Sequence, residues 1–317
     1  MSLPEAEPLG ELRLRADGGD ARAQVDLGVR LLSGEGAAEE GAALIERAFA
    51  EGHADAGAVM ATIEAMGAGR PQSWDRAFDW LRRAAVAGSN SARRQLELID
   101  GASIDAPGLS SAPRKRIVSE RPRLRVFEGF ASVAECDWLI DLARGRLNAA
   151  WVWDPLTGEN RPDPARTNKG LDLRLGEMNV VVQLIRARIA AACNLPLPVF
   201  EPPQIMHYSV GEEFRLHHDY LDPARPGDRD QIERLGQRIA TFLIYLNDDF
   251  EGGETDFPRA GFSYCGRRGD ALLFANVDAA TRAPDPLTLH AGRPPTRGEK
   301  WIFSQWIRDR SPAPPPA

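Results

Sequence analysis

The stretch "EFRLHHDYL", Glu213 to Leu221, sets two of only five histidines in 317 residues side by side and follows them with an aspartate. On a strand, alternate residues share a face. His217 and Asp219 therefore point one way, and His218 points the other way with Leu216 and Tyr220. A histidine and a carboxylate on one strand face can hold two corners of a metal's coordination sphere. Such a strand calls for β-rich sequence around it.

The neighbouring sequence has that texture. From Ile205 onward, short β-rich runs dominate: "QIMHYSV", "ATFLIYL", "ALLFAN", "LTLHAG" and "KWIFSQWI". Separated by Gly- and Pro-rich turns, they predict a sandwich or jelly roll. Helices flank it. "SVAECDWLIDLARGRL" carries Ser132 three residues before Glu135, a capping box, and "NVVVQLIRARIAAAC" is a second helix. "RLRVFEGF" precedes them as a strand.

The first hundred residues read differently. "GDARAQ" begins at Gly19, "GHADAG" at Gly52 and "GSNSAR" at Gly88, intervals of 33 and 36 residues. Apolar positions within each unit fall at helical spacing. A helical pair repeated near 34 residues signals an α-solenoid, with an ordinary helical bundle as the competing reading. The pattern resembles Sel-one-like repeats, relatives of the tetratricopeptide repeat. So few repeats bury little by themselves, and the last helix is expected to dock on the next part of the chain. "DGASIDAPGLSSAPRKR" is linker chemistry. The expected organisation is helical repeats over 1–100, a linker over 101–116, the β-domain over 117–310 and a disordered tail over 311–317. The fold class is α+β and multidomain.

Composition excludes several partners. The net charge is −7, and neither half is a basic footprint for nucleic acid. There is no apolar run of membrane-spanning length and no cleavable leader pattern. Three scattered cysteines make neither a disulfide framework nor a zinc spacing. A reducing, cytoplasmic setting is expected.

Two other histidines lie in the β-domain, His207 and His290. His290 is the better third ligand, because it ends "LTLHAG" and a hairpin through "RPPTRGE" would bring Lys300 beside it. Two imidazoles and a carboxylate with positions left open suit non-haem Fe(II) and O2 chemistry. Lysine occurs only at 115, 169 and 300, against 36 arginines. A lysine facing a β-interior is costly unless an anion neutralises it, which points to an anionic cosubstrate. His207 and His218, at opposite parity to their neighbours, are expected to be structural.

The segment from about Arg123 to Arg310 resembles the prolyl 4-hydroxylase branch of the Fe(II)/2-oxoglutarate dioxygenases. The resemblance rests on "YSVGEEFRLHHDY" (208–220), "RIATFLIYLNDDFEGGETDF" (238–257), "GDALLF" (269–274) and "HAGRPPTRGEKWIFSQWIR" (290–308), with "ARTNKG" (165–170) upstream. It implies that His217, Asp219 and His290 bind Fe(II). It implies that Lys300 pairs with the distal carboxylate of 2-oxoglutarate and that Tyr208 hydrogen-bonds the same cosubstrate, with Thr241 and Trp306 lining its pocket. The polar stretches 151–168 and 221–237 would flank the mouth as binding or lid loops, with Arg166, in the first of them, at a substrate or lid position. The implied fold is a double-stranded β-helix. The implied reaction couples decarboxylation of 2-oxoglutarate, to succinate and CO2, with hydroxylation of a prolyl residue in a protein or peptide by O2. Ascorbate enters as a further cofactor of such enzymes. The repeats would recruit the protein substrate. A hydroxylase of free amino acids or other small molecules is one alternative; a non-catalytic repeat-bearing adaptor is another.

Overall fold

The computed structural model describes residues 7–35, 38–101, 115–149, 151–154, 159–162, 165–278 and 280–311. Most of the expected linker and all but Ser311 of the expected tail lie outside them. The chain divides into two compact units, one of residues 1–109 with 174–186, the other of 110–173 with 187–317.

The first unit is helical: α1 (Leu9–Asp17), α2 (Ala21–Arg30), a short π-helix (Leu31–Glu35), α3 (Ala38–Ala50), α4 (Ala54–Met66), α5 (Trp74–Val86) and α6 (Asn90–Gly101). Each α-helix packs against the next. Local chemistry sets the boundaries. The Asp20 side chain accepts from Ala23 N–H at the start of α2, and Ser73 accepts from Arg76 N–H at the start of α5. Gly67, in left-handed backbone at φ +71°, ends α4, a conformation that costs glycine nothing. Gly28 and Gly41 bring α2 and α3 into backbone contact: a Cβ on Gly28 would lie 2.5 Å from the Gly41 carbonyl oxygen. Leu27, Ile45, Met60, Ile63 and Leu81 are fully buried between the helices. Buried Glu64 is satisfied by Arg70 and Arg76, each at 2.8 Å. Residues 174–186 belong with this unit, and Val180 N–H donates to Gln95 Oε1 at 3.0 Å.

The second unit is built on sheets. In chain order its elements are β1 (Lys115–Glu120), β2 (Arg123–Phe127), α7 (Val133–Ala143), β3 (Asn148–Ala149), β4 (Trp151–Asp154), β5 (Glu159–Pro162), β6 (Lys169–Asp172) and α8 (Val180–Cys193), whose first half falls in residues 174–186. Then come β7 (Gln204–Tyr208), β8 (Phe214–His217), α9 (Pro226–Leu235), β9 (Arg238–Tyr245), β10 (Glu251–Gly252) and β11 (Thr255–Phe257). The last are β12 (Phe262–Tyr264), β13 (Ala271–Ala275), β14 (His290–Gly292), β15 (Pro295–Arg297) and β16 (Lys300–Arg308). An eight-stranded sheet runs β1-β2-β13-β9-β16-β7-β6-β3, and a four-stranded sheet runs β12-β11-β14-β8. Their side chains meet in one core, where Phe257 of β11 packs edge-on to Phe274 of β13 at 5.1 Å, with Leu243, Tyr245 and Ile302 around them. Helix α7 starts at the expected capping box: Ser132 accepts from Glu135 N–H, and Glu135 accepts from Ser132 N–H.

One expectation fails. His290 and Lys300 are not partners in a hairpin. Strand β14 belongs to the small sheet, β16 to the large one, and β15 between them pairs with β10 instead. Pro294 and Pro295 have no N–H to give a ladder, and Gly298 turns the chain at φ +74°. His290 and Lys300 therefore belong to different sheets. No helix among the described residues is long and apolar enough to cross a membrane.

Candidate active site

The small sheet carries the donors. His290 of β14 is in register with His217 of β8, so their rings lie 4.2 Å apart. Strand β8 ends at His217, and Asp219 sits just beyond it. It still turns to the histidine side: Asp219 Oδ1 is 3.5 Å from His217 Nε2, and Oδ2 is 3.7 Å from His290 Nε2. The ligand atoms of the three residues all lie within 4.8 Å of one another. His218 turns away as its parity predicts, stacks on Tyr220 and meets the Pro286 carbonyl at 3.4 Å. His207 also faces elsewhere, bonded to Glu299 at 2.7 Å and packed on Trp301.

The two histidine rings are oriented from behind. His217 Nδ1 is 2.7 Å from the Arg215 carbonyl and His290 Nδ1 is 3.0 Å from the Thr288 carbonyl. A carbonyl only accepts, so each Nδ1 carries the proton. Each Nε2 lone pair then points toward Asp219. Burial pushes the His290 imidazole down to about 4, so it is neutral at pH 7. Burial alone would raise the Asp219 carboxyl, but His290, His217 and the Thr241 hydroxyl outweigh it and hold the group well below the usual carboxylate range. Phe214 stacks on His217 at 3.5 Å and 9°, while Phe257 and Phe274 flank His290. Two imidazoles and one carboxylate, fixed in a largely apolar wall, fit an Fe(II) ion and leave part of its coordination sphere open.

Across the same cavity stands the large sheet. Lys300 and Tyr208 are register partners on β16 and β7, and both line the cavity with His217, Asp219 and His290. Lys300 is 1% exposed. Among the described residues it has no ion-pair partner; its ammonium lies 5.0 Å from the Tyr208 ring centre and 5.6 Å from that of Tyr245. Burial pushes its pKa down to about 8. Burial also raises the Tyr208 phenol to about 12, so it remains a donor at neutral pH. A buried cation without an anion is costly, and this one shares its cavity with a metal-type donor set.

Trp306 lines the cavity, as its shared parity with Lys300 predicts. Thr241 lies elsewhere than expected. Its side chain is not among the cavity-lining groups; its hydroxyl donates to Asp219 Oδ2 at 2.6 Å. The cavity threonine is Thr255, held by Tyr245 at 2.7 Å. The signal for it was present: Thr255 ends "GGET" and alternates inward with Phe257. Arg166 donates to Gln204 at 2.9 Å, and its guanidinium lies 4.4 Å over Phe214, the ring stacked on His217. The expected loop 151–168 instead carries the paired strands β4 and β5, and the side chains of 151–164 lie outside the described residues. Ser304 also lines the cavity, on the same strand parity as Lys300 and Trp306.

Residues 203–308 match the 2OG-Fe(II) oxygenase superfamily model. Prolyl 4-hydroxylase 1 of Arabidopsis thaliana is 35% identical over 212 residues, covering 62% of this chain and 73% of that protein. The chain belongs to the 2OG-Fe(II) oxygenase superfamily. Prolyl 4-hydroxylase 5 of the same plant is 36% identical over 212 residues, covering 60% of this chain and 70% of that protein. The oxygenase is also similar to the crystal structure of a viral collagen prolyl hydroxylase from Paramecium Bursaria Chlorella virus-1 with 2OG. There the identity is 30%, the coverage 58% of this chain and 95% of that one, and the TM-score 0.44. A Sel1 repeat protein from Oxalobacter formigenes matches 34% of this chain at 26% identity, with 86% of that protein covered and a TM-score of 0.28. Fe(II), 2-oxoglutarate and O2 are the cofactor and cosubstrates of the oxygenase.

Proposed function

We propose that the oxygenase hydroxylates a prolyl residue in a protein or peptide, with oxidative decarboxylation of 2-oxoglutarate to succinate and CO2. The observation that carries the reading is buried Lys300, with no ion-pair partner among the described residues, in one cavity with His217, Asp219 and His290. Metal-type donors alone would fit many hydrolytic or structural sites; joined to an interior cation they fit a metal-chelating dicarboxylate. The prolyl part follows the relatives, since no residue here reads proline by itself.

The roles follow from placement. His217, Asp219 and His290 hold the iron, which supplies the oxidation when bound. Lys300 neutralises the far carboxylate of 2-oxoglutarate, with Tyr208 and Thr255 as donors and Trp306 closing the wall. Phe214, Phe257 and Phe274 keep water from the donor histidines. Arg166 braces Phe214, and so the ring of His217, from the side where substrate or a lid would meet the mouth. The two facing sheets are read as a double-stranded β-helix, and the N-terminal helices as a Sel-one-like solenoid that presents a protein substrate.

Anaerobic titration with Fe(II) and 2-oxoglutarate, followed by succinate release in air, tests this. Wild type is expected to bind both and to release succinate faster with proline-containing peptides. His217→Ala should abolish iron binding; His218→Ala should leave it within about threefold, because that ring faces away. Equal binding by the His217→Ala chain would remove the site. Stimulation by free amino acids but by no peptide would move the substrate to the small-molecule class.

A further inference from the structure

Thr241 and Asn276 form a buried chain behind the Asp219 carboxylate. Thr241 Oγ lies 2.6 Å from Asp219 Oδ2, and Asn276 Nδ2 lies 3.0 Å from Thr241 Oγ. The three residues are 1%, 0% and 5% exposed in the order Thr241, Asn276, Asp219. A hydroxyl has one proton, an ionised carboxylate only accepts, and an amide nitrogen only donates. The direction is therefore fixed: Asn276 donates to Thr241, and Thr241 donates to Asp219. The reverse amide orientation would aim Asn276 Oδ1 at the same hydroxyl. Two acceptors would then compete for one proton, and the 2.6 Å contact requires that proton.

The anchors of this chain are backbone. Thr241 sits inside β9, between Phe274 of β13 and Trp306 of β16 in register. Asn276 N–H donates to the Ile239 carbonyl, and its own carbonyl accepts from Asp285 N–H. Neither residue can drift without breaking the large sheet. A hydrogen bond to an ionised acceptor is also about twice as strong as a neutral one.

We propose that Thr241, oriented by Asn276, is a positioning residue that keeps Asp219 a one-oxygen ligand. The proposal rests on the reading of His217, Asp219 and His290 as the iron site. Thr241 claims Oδ2 and leaves Oδ1, on the His217 side, for the metal. Released from Thr241, the carboxylate can offer both oxygens and take a further coordination position. A chelating 2-oxoglutarate needs two positions and O2 a third, so a two-oxygen Asp219 would crowd the site. The hydroxyl thereby holds a position open as well as strengthening the ligand. Partners of this kind typically change metal affinity 10–100-fold.

The test uses Co(II) with the full chain, followed by visible absorption, which reports coordination number, and repeated with 2-oxoglutarate. Thr241→Val is nearly isosteric and removes only the hydroxyl; Thr241→Ala replaces it where the valine chain does not fold. The expected result is Co(II) affinity lowered about 10–100-fold. The Co(II) spectrum should shift toward higher coordination, and 2-oxoglutarate affinity should fall with it. Thr241→Ser should restore both to within about threefold of wild type, a rescue that a packing role would not give. Asn276→Asp should behave like Thr241→Val, because two carboxylates then compete for one proton. A Thr241→Val chain with wild-type affinity and spectrum overturns the proposal. Absence of Co(II) binding by wild type would instead overturn the iron-site reading, so the two failures are distinct.

Discussion

At the residue scale, Lys300 sets stability against function. Its folded pKa of about 8 lies below the ordinary 10.5. Below pH 8 both folded and unfolded chains carry the proton, and the full desolvation cost of the charge stands. Between pH 8 and 10.5 the unfolded chain holds more protons, so stability rises with pH and the cost is gone above that window. The separation corresponds to about 3 kcal/mol as an upper figure. At pH 7 Lys300→Met should therefore unfold at a higher temperature than wild type without ligand. It should also lose the stabilisation that 2-oxoglutarate gives. In wild type, 2-oxoglutarate affinity should weaken as pH rises through about 8, where the neutral amine no longer pairs. Thermal unfolding with and without 2-oxoglutarate, from about pH 6.5 to about pH 11, a rough range spanning that window, checks all three. A less stable Lys300→Met chain would mean that the ammonium is paired in the folded protein.

At the element scale, the sequence was most legible where a signal is local. The capping box of α7 is one such case. Ser132 accepts from Glu135 N–H at 3.2 Å, Glu135 accepts from Ser132 N–H at 2.8 Å, and Arg188 of α8 adds a 2.8 Å pair to the same carboxylate. Ser132→Ala should cost about 1 kcal/mol. Glu135→Ala should cost more, on the order of 3 kcal/mol, because it leaves the half-buried Arg188 with no carboxylate partner. Denaturant midpoints give the order, and metal affinity should be unchanged in both; equal costs would mean that Arg188 finds water. Strand parity was equally legible: it separated His217 from His218 and put Lys300 and Trp306 on one cavity. Pairing was not. Alternation tells which face a residue takes but not which strand lies beside it, so the run from His290 to Trp306 read as a hairpin although its two ends join different sheets. Thr241 was misplaced for the same reason. Its parity with Leu243 is inward, but only the three-dimensional neighbour Asp219 shows what its hydroxyl meets.

At the scale of the whole molecule, the composition break near residue 100 and the division of the folded chain differ. Ser/Pro/Gly content marks the join along the sequence, whereas residues 174–186 pack with the helices of the first unit. Val180, Val181, Val182, Leu184 and Ile185 are each 1% exposed or less, and the Val180 N–H is satisfied by Gln95. A chain begun at Lys115 keeps this segment but removes the unit it belongs to. Each aliphatic side chain so exposed costs about 1.5–3 kcal/mol. The 115–310 piece should therefore show a lower unfolding midpoint and stronger binding of an apolar dye than the full chain. A midpoint equal to that of the full chain would show that residues 174–186 need no helical unit. The outcome decides how recruitment by the repeats can be measured. If the piece is destabilised, its loss of activity on a protein target says nothing about recruitment, and the question passes to surface changes in the intact chain. Val86, 90% exposed on α5, suits that purpose. Val86→Glu should leave the melting temperature and turnover of a short peptide unchanged, and kcat/KM on the protein target should fall only if this face of the helices holds that target.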